Sequence, residues 1–131
     1  MKILVVEDDL VTRKVIQKIL ERMENIDVDV AEDGIVGLEK FSKMLKEEEK
    51  YRIICLDVMM PKMGGQEVLQ NMRKLEKENN ILEKEKAKII MMTALSDLEN
   101  IKKAYTEECD EYLVKPVKIT ELKEIIKKYS I

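Results

Sequence analysis

The sequence predicts an α/β fold in which five parallel β-strands alternate with five α-helices, in the order (βα)5. Two features support this prediction. The apolar runs are short and continuous, which is typical of strands that are buried on both faces of a parallel sheet. The segments between them repeat apolar residues every three or four positions, as amphipathic helices do. Because crossovers between parallel strands are right-handed, the helices are expected on both faces of the sheet, in a doubly wound arrangement.

The five predicted strands are placed by their apolar residues. They cover residues 3–6, 28–30, 53–56, 89–92 and about 111–114. Four of these strands are followed at once by a residue that can bind a phosphate group or a metal ion. Those residues are Glu7 with Asp8, Asp57, Thr93 and Lys115. Because the carboxyl ends of parallel strands share one edge of a sheet, where ligands bind, these side chains are expected to form one site.

The five predicted helices are placed by the spacing of their apolar residues. Those residues are Val11, Val15, Ile16, Ile19, Leu20 and Met23 in the first helix, Ile35, Leu38, Phe41 and Leu45 in the second, Val68, Leu69, Met72 and Leu75 in the third, Leu98, Ile101, Ala104 and Tyr105 in the fourth, and Ile119, Leu122, Ile125, Ile126 and Tyr129 in the fifth. A capping-box pattern, Ser96 followed by Glu99, predicts that the fourth helix begins at Ser96. The charged segment 76–88 is predicted to be the end of the third helix and an exposed loop, with a partner-specific insertion as the second interpretation.

Length and charge limit the possible classes of protein. The 131 residues are enough for one compact domain and too few for two, so a single domain without an output domain is expected. The net charge of -3 is unlike that of a nucleic-acid-binding protein. No apolar stretch approaches the roughly 20 residues of a membrane helix. The N-terminus has no signal-peptide pattern, so the cytoplasm is the expected location.

The chain contains no histidine, so it has no imidazole to act as a base, a metal ligand or a phosphoryl carrier. A phosphohistidine in its mechanism must therefore belong to a partner. The two cysteines, Cys55 and Cys109, form neither a CxxC motif nor a zinc-binding spacing. Cys55 falls within an apolar run, where a free cysteine acts as a small hydrophobic residue.

Three carboxylates are expected to converge on the predicted site. Glu7 and Asp8 follow the first strand, and Asp57 follows the third. Carboxylates this close raise one another's pKa unless a cation joins them, and Mg2+ prefers oxygen ligands of this kind. The backbone carbonyl of Met59 is a candidate for a further ligand. The alternative is that the acids cap the first helix. That role is expected for Asp9, but it does not explain acids after two separate strands.

Lys115 and Thr93 complete the predicted site. Lys115 is expected to pair with Asp57 in the resting state and with a phosphoryl oxygen afterwards. Pro116 follows it, and an X-Pro bond can adopt the cis form and direct the lysine side chain. Thr93 supplies a hydroxyl donor, and the small Ala94 beside it leaves room for an incoming group. Alone, a lysine is most often a surface residue and a threonine a common strand residue. The combination indicates a site.

Four spaced motifs resemble the receiver domain of two-component response regulators, in particular stand-alone members similar to the chemotaxis regulator. They are residues 3–9 (ILVVEDD), residues 57–65 (DVMMPKMGG), the pair Thr93-Ala94 and residues 112–116 (YLVKP). The resemblance covers nearly the whole chain and implies a single receiver domain over residues 1–131. It also implies a flavodoxin-like fold with the strand order 2-1-3-4-5.

By this resemblance, Asp57 is the phosphoacceptor. Asp8 is the expected direct ligand of Mg2+, with Mn2+ as an alternative ion. Glu7 is expected to act on the ion through a water molecule, and the Met59 carbonyl completes the ligands from the protein. The implied phosphoryl donor is a sensor histidine kinase or a histidine phosphotransfer protein.

The resemblance also implies a switch. Lys115 and Thr93 are expected to bind the phosphoryl group, and Tyr112 matches the family's aromatic switch residue. Gly65 matches a family glycine, for which backbone conformation is the expected reason. Glu108 stands where many members have glycine, so the turn after the fourth helix is expected to differ. The fourth helix, fifth strand and fifth helix are expected to bind a downstream target protein, and neither nucleic acid nor a membrane is an expected partner.

Two other functions remain possible on such a sheet. A Mg2+-dependent phosphohydrolase with an aspartyl-phosphate intermediate typically needs a second acid two residues after its nucleophile. That position is Met59, which cannot transfer a proton. A nucleotide or flavin binder needs a glycine-rich loop after the first strand, where this chain has Glu7, Asp8 and Asp9. The preferred interpretation is therefore a switch that catalyses only its own phosphorylation and dephosphorylation.

Overall fold

The computed structural model describes residues 1–130 and contains a five-stranded parallel sheet. The strands are β1 (Lys2–Val6), β2 (Asp27–Ala31), β3 (Tyr51–Asp57), β4 (Lys88–Thr93) and β5 (Glu111–Val114). Their order is β2-β1-β3-β4-β5, and every neighbouring pair is parallel. The expected fold class and strand order are confirmed.

The helices are α1 (Leu10–Glu21), α2 (Gly34–Met44), α3 (Gly65–Glu78), α4 (Leu98–Tyr105) and α5 (Ile119–Tyr129). Two short 3-10 turns, Glu83–Glu85 and Leu95–Asp97, precede β4 and α4. Buried residues of α1 and α5 pack on one face of the sheet, and those of α2, α3 and α4 pack on the other. Within residues 1–130, no helix has both the length and the apolar character to cross a bilayer.

The central strands explain why continuous apolar runs become strands here. Residues Leu4 and Val6 of β1 contribute to the core on one face, and Ile3 and Val5 contribute to the core on the other. All four side chains are fully buried. Burying a side chain of this size contributes about 2 kcal/mol relative to leaving it exposed, so both faces stabilise the same strand.

The first turn of α4 differs from the predicted capping box. The helix begins at Leu98 rather than Ser96, and Asp97 stands at the N-cap without a side-chain hydrogen bond. The backbone N–H groups of Asp97 and Leu98 bond to carbonyls three residues earlier, which makes this turn a 3-10 turn. The inward placement of Ala104 was also wrong, because Ala104 is exposed and Ile101 is the only fully packed residue that α4 contributes within the described chain.

The apolar spacing also selected some residues that the structure leaves exposed. Val11 and Val15 of the first helix are 70% and 48% exposed, and Ile35 and Ile119, in the second and fifth helices, are 45% and 52% exposed. The segment 76–88 contains the helix end and the exposed loop that were predicted, and Glu76, in the helical part, retains only 1% of its accessible surface. The helix ends at Glu78, and Asn80 follows with a φ of 52°.

Candidate functional site

The carboxyl edge of the sheet gathers the acidic residues that the sequence predicts there. Asp57 is the last residue of β3, and Glu7 follows β1 directly; both are buried, whereas Asp8 is exposed. One carboxylate oxygen from each of the three lies within 4.8 Å of the others. We call Glu7, Asp8, Asp57, Thr93 and Lys115 the acidic rim. The predicted convergence of acids from two separate strands is thus present.

The local structure after β1 leaves Glu7 and Asp8 available for the rim. Asp9 is the N-cap of α1, and its carboxylate accepts hydrogen bonds from the backbone N–H (2.8 Å) and the hydroxyl (2.7 Å) of Thr12. These hydrogen bonds lower the pKa of Asp9. Only Asp9 among the three consecutive acids therefore caps the helix, as predicted.

Arg13 supports the same loop, and the sequence analysis did not single it out. Its Nη1 donates to the carbonyl oxygen of Glu7 at 2.9 Å and lies 3.5 Å from that of Asp8. Its position on the first turn of an amphipathic helix after an acidic loop is the only sequence signal that could have suggested this contact. The guanidinium group thereby holds the backbone from which both acids project.

Lys115 supplies the one ammonium group of the acidic rim. Its Nζ lies 2.6 Å from Glu7 Oε1 and 2.8 Å from Asp57 Oδ1. The bond from Lys115 to Pro116 is cis, and the Lys115 N–H donates to the carbonyl of Thr93 at 2.8 Å. Burial lowers the pKa of Lys115, but the hydrogen bonds with both carboxylates outweigh burial and raise it overall. The predicted pairing with Asp57 is present, and pairing with Glu7 accompanies it.

The two carboxylate oxygens of Asp57 differ in their hydrogen bonding. Oδ1 accepts from Lys115 and, at 3.2 Å, from the backbone N–H of Met59. Oδ2 is buried and has no hydrogen-bond partner. Burial first, and the neighbouring Glu7 second, raise the pKa of Asp57 to about 7, against the opposing effect of Lys115. Three carboxylates with one ammonium leave an excess of negative charge, and this set of oxygen donors suits a hard divalent cation.

Gly65 lets the backbone of α3 approach the end of β3. A Cβ atom at this position would overlap the carbonyl oxygen of Asp57 and lie 2.8 Å from the Cα of Val58. No glycine in residues 1–130 has a positive φ. The expectation that backbone conformation requires a glycine here was therefore wrong, and close packing of two backbone segments is the reason.

The hydroxyl groups of Thr93 and Tyr112 have different hydrogen-bond partners. Thr93 is the last residue of β4, is 1% exposed, and has only a long 3.4 Å contact from its hydroxyl to the Ala94 carbonyl. The Tyr112 hydroxyl lies 3.3 Å from the hydroxyl of Thr106, at the C-terminal end of α4.

The turn after α4 proceeds without a left-handed residue, since Asn25 and Asn80 alone among the described non-glycine residues have positive φ.

Comparisons with known proteins agree with one another. The model of the response regulator receiver domain family matches residues 3–127. The transcriptional regulatory protein ResD of Bacillus subtilis is 38% identical over 88% of this chain and 42% of its own length. The osmosensing histidine protein kinase SLN1 of Saccharomyces cerevisiae is 33% identical over 98% of this chain and 10% of its own. The chain thus spans less than half the length of these curated relatives.

A solved structure gives the same likeness in three dimensions. The response regulator protein TrrA from Thermotoga maritima, in complex with Mg(2+)-BeF, superimposes with a TM-score of 0.76. The two sequences are 34% identical, and the match covers 98% of each chain.

Proposed function

Because this chain belongs to the family of response regulator receiver domains, we propose that it is a phosphorylation-dependent switch whose phosphoacceptor is Asp57. The observation that carries the proposal is the unpaired oxygen of Asp57 at the carboxyl edge of the sheet. The chain contains no histidine, so the phosphohistidine belongs to a partner. A sensor histidine kinase or a histidine phosphotransfer protein is the proposed donor, and one relative is itself a histidine kinase.

The proposed reaction is transfer of a phosphoryl group between the two proteins. A bond forms between phosphorus and a carboxylate oxygen of Asp57, while the bond from phosphorus to the donor imidazole breaks and its electron pair stays on nitrogen. Oδ1 is already held by Lys115 and the Met59 N–H, so Oδ2 is the oxygen that we assign as the nucleophile. Such transfers need alignment and charge neutralisation more than covalent help.

The acidic rim has the donor set for Mg2+. Asp8 is exposed and takes part in no ion pair among residues 1–130, which suits a direct ligand. Glu7 is occupied by Lys115, which suits a role through water. Asp57 and the carbonyl of Met59 would complete the set, and Mn2+ accepts the same oxygen donors. When bound, the ion supplies positive charge to the transferring phosphoryl group.

After transfer, the phosphoryl oxygens offer new acceptors to the Lys115 ammonium and the Thr93 hydroxyl. The proposed consequence is that Thr93 moves toward the phosphoryl group and Tyr112 occupies the space it leaves. Two packings of the α4, β5 and α5 face would then differ in affinity for a downstream target protein. Output by protein binding, rather than by direct contact with nucleic acid, suits the net charge of -3.

A cleft beside the acidic rim supports a protein as the phosphoryl donor. It has a volume of about 460 Å³ and lies between α1 and the segment after β5. Its lining includes Val11, Val15, Pro116 and Val117 next to Lys115. Exposed apolar side chains beside a buried acceptor suit contact with an apolar surface that presents the phosphohistidine. The two cysteines are free and buried, which suits the cytoplasm as the proposed location.

The phosphohydrolase alternative gains no support from the comparisons. Met59, which stands where such an enzyme would place its general acid, is an apolar side chain that is 67% exposed. We therefore propose that the chain promotes only its own phosphorylation and dephosphorylation. Sustained release of p-nitrophenol from p-nitrophenyl phosphate over many turnovers would contradict this statement.

The test of the proposed function is phosphoryl labelling with a small phosphodonor in the presence of Mg2+. Wild-type protein should acquire a label that is released by hydroxylamine, as an acyl phosphate is, and a chelator should prevent labelling. Asp57→Asn should acquire none. Glu32→Gln is the matched control, because Glu32 is an exposed acid on the same edge of the sheet, and it should label fully. Full labelling of Asp57→Asn would exclude Asp57 as the acceptor.

A further inference from the structure

A second charged cluster lies at the opposite edge of the sheet, where β4 and β5 begin. Its centre is Arg73 on α3, whose Nη1 donates to Glu76 Oε1 (2.7 Å) and to the carbonyl of Ala87 (2.9 Å). Its Nε donates to the carbonyl of Glu108 (2.7 Å), and its Nη2 donates to Asp110 Oδ2 (3.0 Å). We call these five residues the Arg73 clamp. One side chain thus joins α3, the entry to β4 and the turn between α4 and β5.

The carboxylates of the Arg73 clamp have second partners in the backbone. Glu76 is 1% exposed, and its Oε2 accepts from the N–H of Ala87 at 2.8 Å. Asp110 Oδ2 accepts from the N–H of Ile89 at 2.9 Å, and the Asp110 N–H donates to the Ile89 carbonyl at 2.8 Å. A buried carboxylate with partners for both of its oxygens, as Glu76 is, holds one position, and the partly exposed Arg73 and Asp110 extend its hydrogen bonds to the turn. The clamp therefore holds the turn at residues 106–110 against the body of the domain.

The helix before this turn has few anchors of its own. Of the eight residues of α4, only Ile101 is buried. The helix starts from a 3-10 turn without a side-chain cap, and Leu95 in that turn is 72% exposed. The C-terminal end of α4, which leads into the clamped turn, is therefore its fixed end.

The clamped turn also carries the hydrogen-bond partner of Tyr112. The Thr106 hydroxyl lies 3.3 Å from the Tyr112 hydroxyl and also bonds to the carbonyl of Lys102. Cys109, between Thr106 and Asp110, is 7% exposed, and its N–H donates to the carbonyl of Tyr105 at 3.0 Å. Hydrogen bonds and the backbone of the turn that joins them therefore connect Arg73 to the phenol that the proposed switch uses.

We propose that Arg73 is a positioning residue for the switch, which sets the resting position of the Tyr112 phenol through the turn at residues 106–110. This inference rests on the proposed function only for the role of Tyr112. When the clamp fixes the turn at residues 106–110, the resting conformation is favoured, in which the Thr106 hydroxyl contacts the Tyr112 hydroxyl. Weakening the clamp raises the population of the other conformation, and any ligand that prefers that conformation then binds more tightly.

The experiment uses full-chain protein labelled with 3-fluorotyrosine and observed by 19F NMR, with the Tyr112 signal assigned from Tyr112→Phe. Arg73→Lys removes the fork geometry, and Asp110→Asn removes the charge but keeps an oxygen for the Ile89 N–H. The matched control is Lys74→Gln, which removes one positive charge from an exposed position on the same helix turn. Each protein is also titrated with beryllofluoride in Mg2+, a mimic of the phosphoryl group.

Arg73→Lys and Asp110→Asn should shift or broaden the Tyr112 signal in the absence of beryllofluoride. They should also bind beryllofluoride roughly three- to tenfold more tightly than wild type, as expected for a partly populated competent state. Thr106→Val, which removes only the partner of the phenol, should act in the same direction. Lys74→Gln should match wild type in both measurements.

Unchanged Tyr112 signals in Arg73→Lys and Asp110→Asn would overturn the inference, whatever Thr106→Val does. If Arg73→Lys does not fold, Asp110→Asn decides alone. Failure of wild-type protein to bind beryllofluoride would count against the proposed function instead. In that case the Tyr112 signal without beryllofluoride still decides whether the clamp positions the phenol.

Discussion

The acidic rim and the Arg73 clamp are both clusters of charged side chains around buried carboxylates, and they lie at opposite edges of the same sheet. In the clamp, Arg73 meets two carboxylates and two carbonyls, and the acid Glu76 has partners for both of its oxygens. In the rim, Lys115 faces two buried carboxylates, and one oxygen of Asp57 has no partner. The two carboxylates that pair with Arg73 are therefore satisfied, whereas that of Asp57 is not; the unpaired Oε2 of Glu108 is the one exception among the described clamp residues.

The difference separates a structural use of charge from a chemical one. A buried ion pair with all its hydrogen bonds made holds its surroundings in place, and breaking it is costly. An incomplete cluster raises the pKa of one of its members and keeps an atom available for a ligand, and such groups are common at functional sites. The rim should therefore respond to divalent cations and to pH.

The largest expected effect comes from breaking the clamp. Arg73→Met should lower the free energy of unfolding by about 3 kcal/mol, because it leaves the buried Glu76 without its cation. Mg2+ should not restore the loss, since the rim is far from the substitution. Urea unfolding with and without Mg2+ measures both effects. Lys74→Gln, at an exposed ion pair, should change stability by about 0.5 kcal/mol or less. A loss for Arg73→Met no larger than that of the control would contradict this picture of the clamp.

The next effect tests whether the rim depends on close backbone packing. Gly65→Ala should lower the free energy of unfolding by about 2 kcal/mol, because the new methyl group overlaps the Asp57 carbonyl. The adjacent Gly64→Ala is the control, since its Cβ would lie 3.0 Å from the flexible end of Gln66 and at an ordinary contact distance of 3.6 Å from the Val58 carbonyl oxygen. That variant should be within about 0.5 kcal/mol of wild type. Equal losses in the two variants would show that overlap with Asp57 is not the cause.

The smallest expected effect is a change of folding stability with pH, and it follows from the excess of negative charge in the acidic rim. The pKa of Asp57 is about 7 in the folded protein and about 4 when unfolded, so the folded state holds the extra proton between these values. Stability from this group is therefore complete below about pH 4 and is lost as the pH rises through 7. In chelator at pH 8, Asp57→Asn should be about 1 kcal/mol more stable than wild type, and the gain should disappear near pH 5.

Mg2+ supplies the control for this last prediction. Saturating Mg2+ should reverse the order of stability at pH 8, because the ion stabilises wild-type protein by binding the folded state while the variant lacks one ligand. Thermal unfolding in chelator and in Mg2+ measures the reversal. The same order of stability at pH 5 and pH 8 in chelator would show that the charge of Asp57 is not a source of instability.

Several features of the site required only local patterns. The continuous apolar runs before Glu7, Asp57, Thr93 and Lys115 identify buried strands, and the parallel arrangement brings the ends of such strands to one edge. The acid that caps α1 was also predictable, because Asp9 is the residue directly before the apolar spacing begins. These features depend on the position of a residue within its own element.

Other features depended on what lies across space. The chain has 24 basic and 27 acidic residues, so its sequence offers no means of selecting Arg73, Glu76 and Asp110 as partners. The predicted cap at Ser96 failed because the chain enters α4 through a 3-10 turn. The reason for Gly65 became clear only from the approach of α3 to the carbonyl of Asp57.

The sequence alone determined the order of strands and helices and the identity of the rim residues, because hydrophobic periodicity and strand ends are properties of neighbouring positions. Apart from the predicted pair of Lys115 with Asp57, the tertiary structure decided which charges are satisfied. Pairing depends on distances between segments far apart in the chain, such as the 2.6 Å between Lys115 and Glu7 or the 3.0 Å between Arg73 and Asp110. Charge satisfaction is therefore a property of the packed chain, and it sets Asp57 apart from the carboxylates that pair with Arg73.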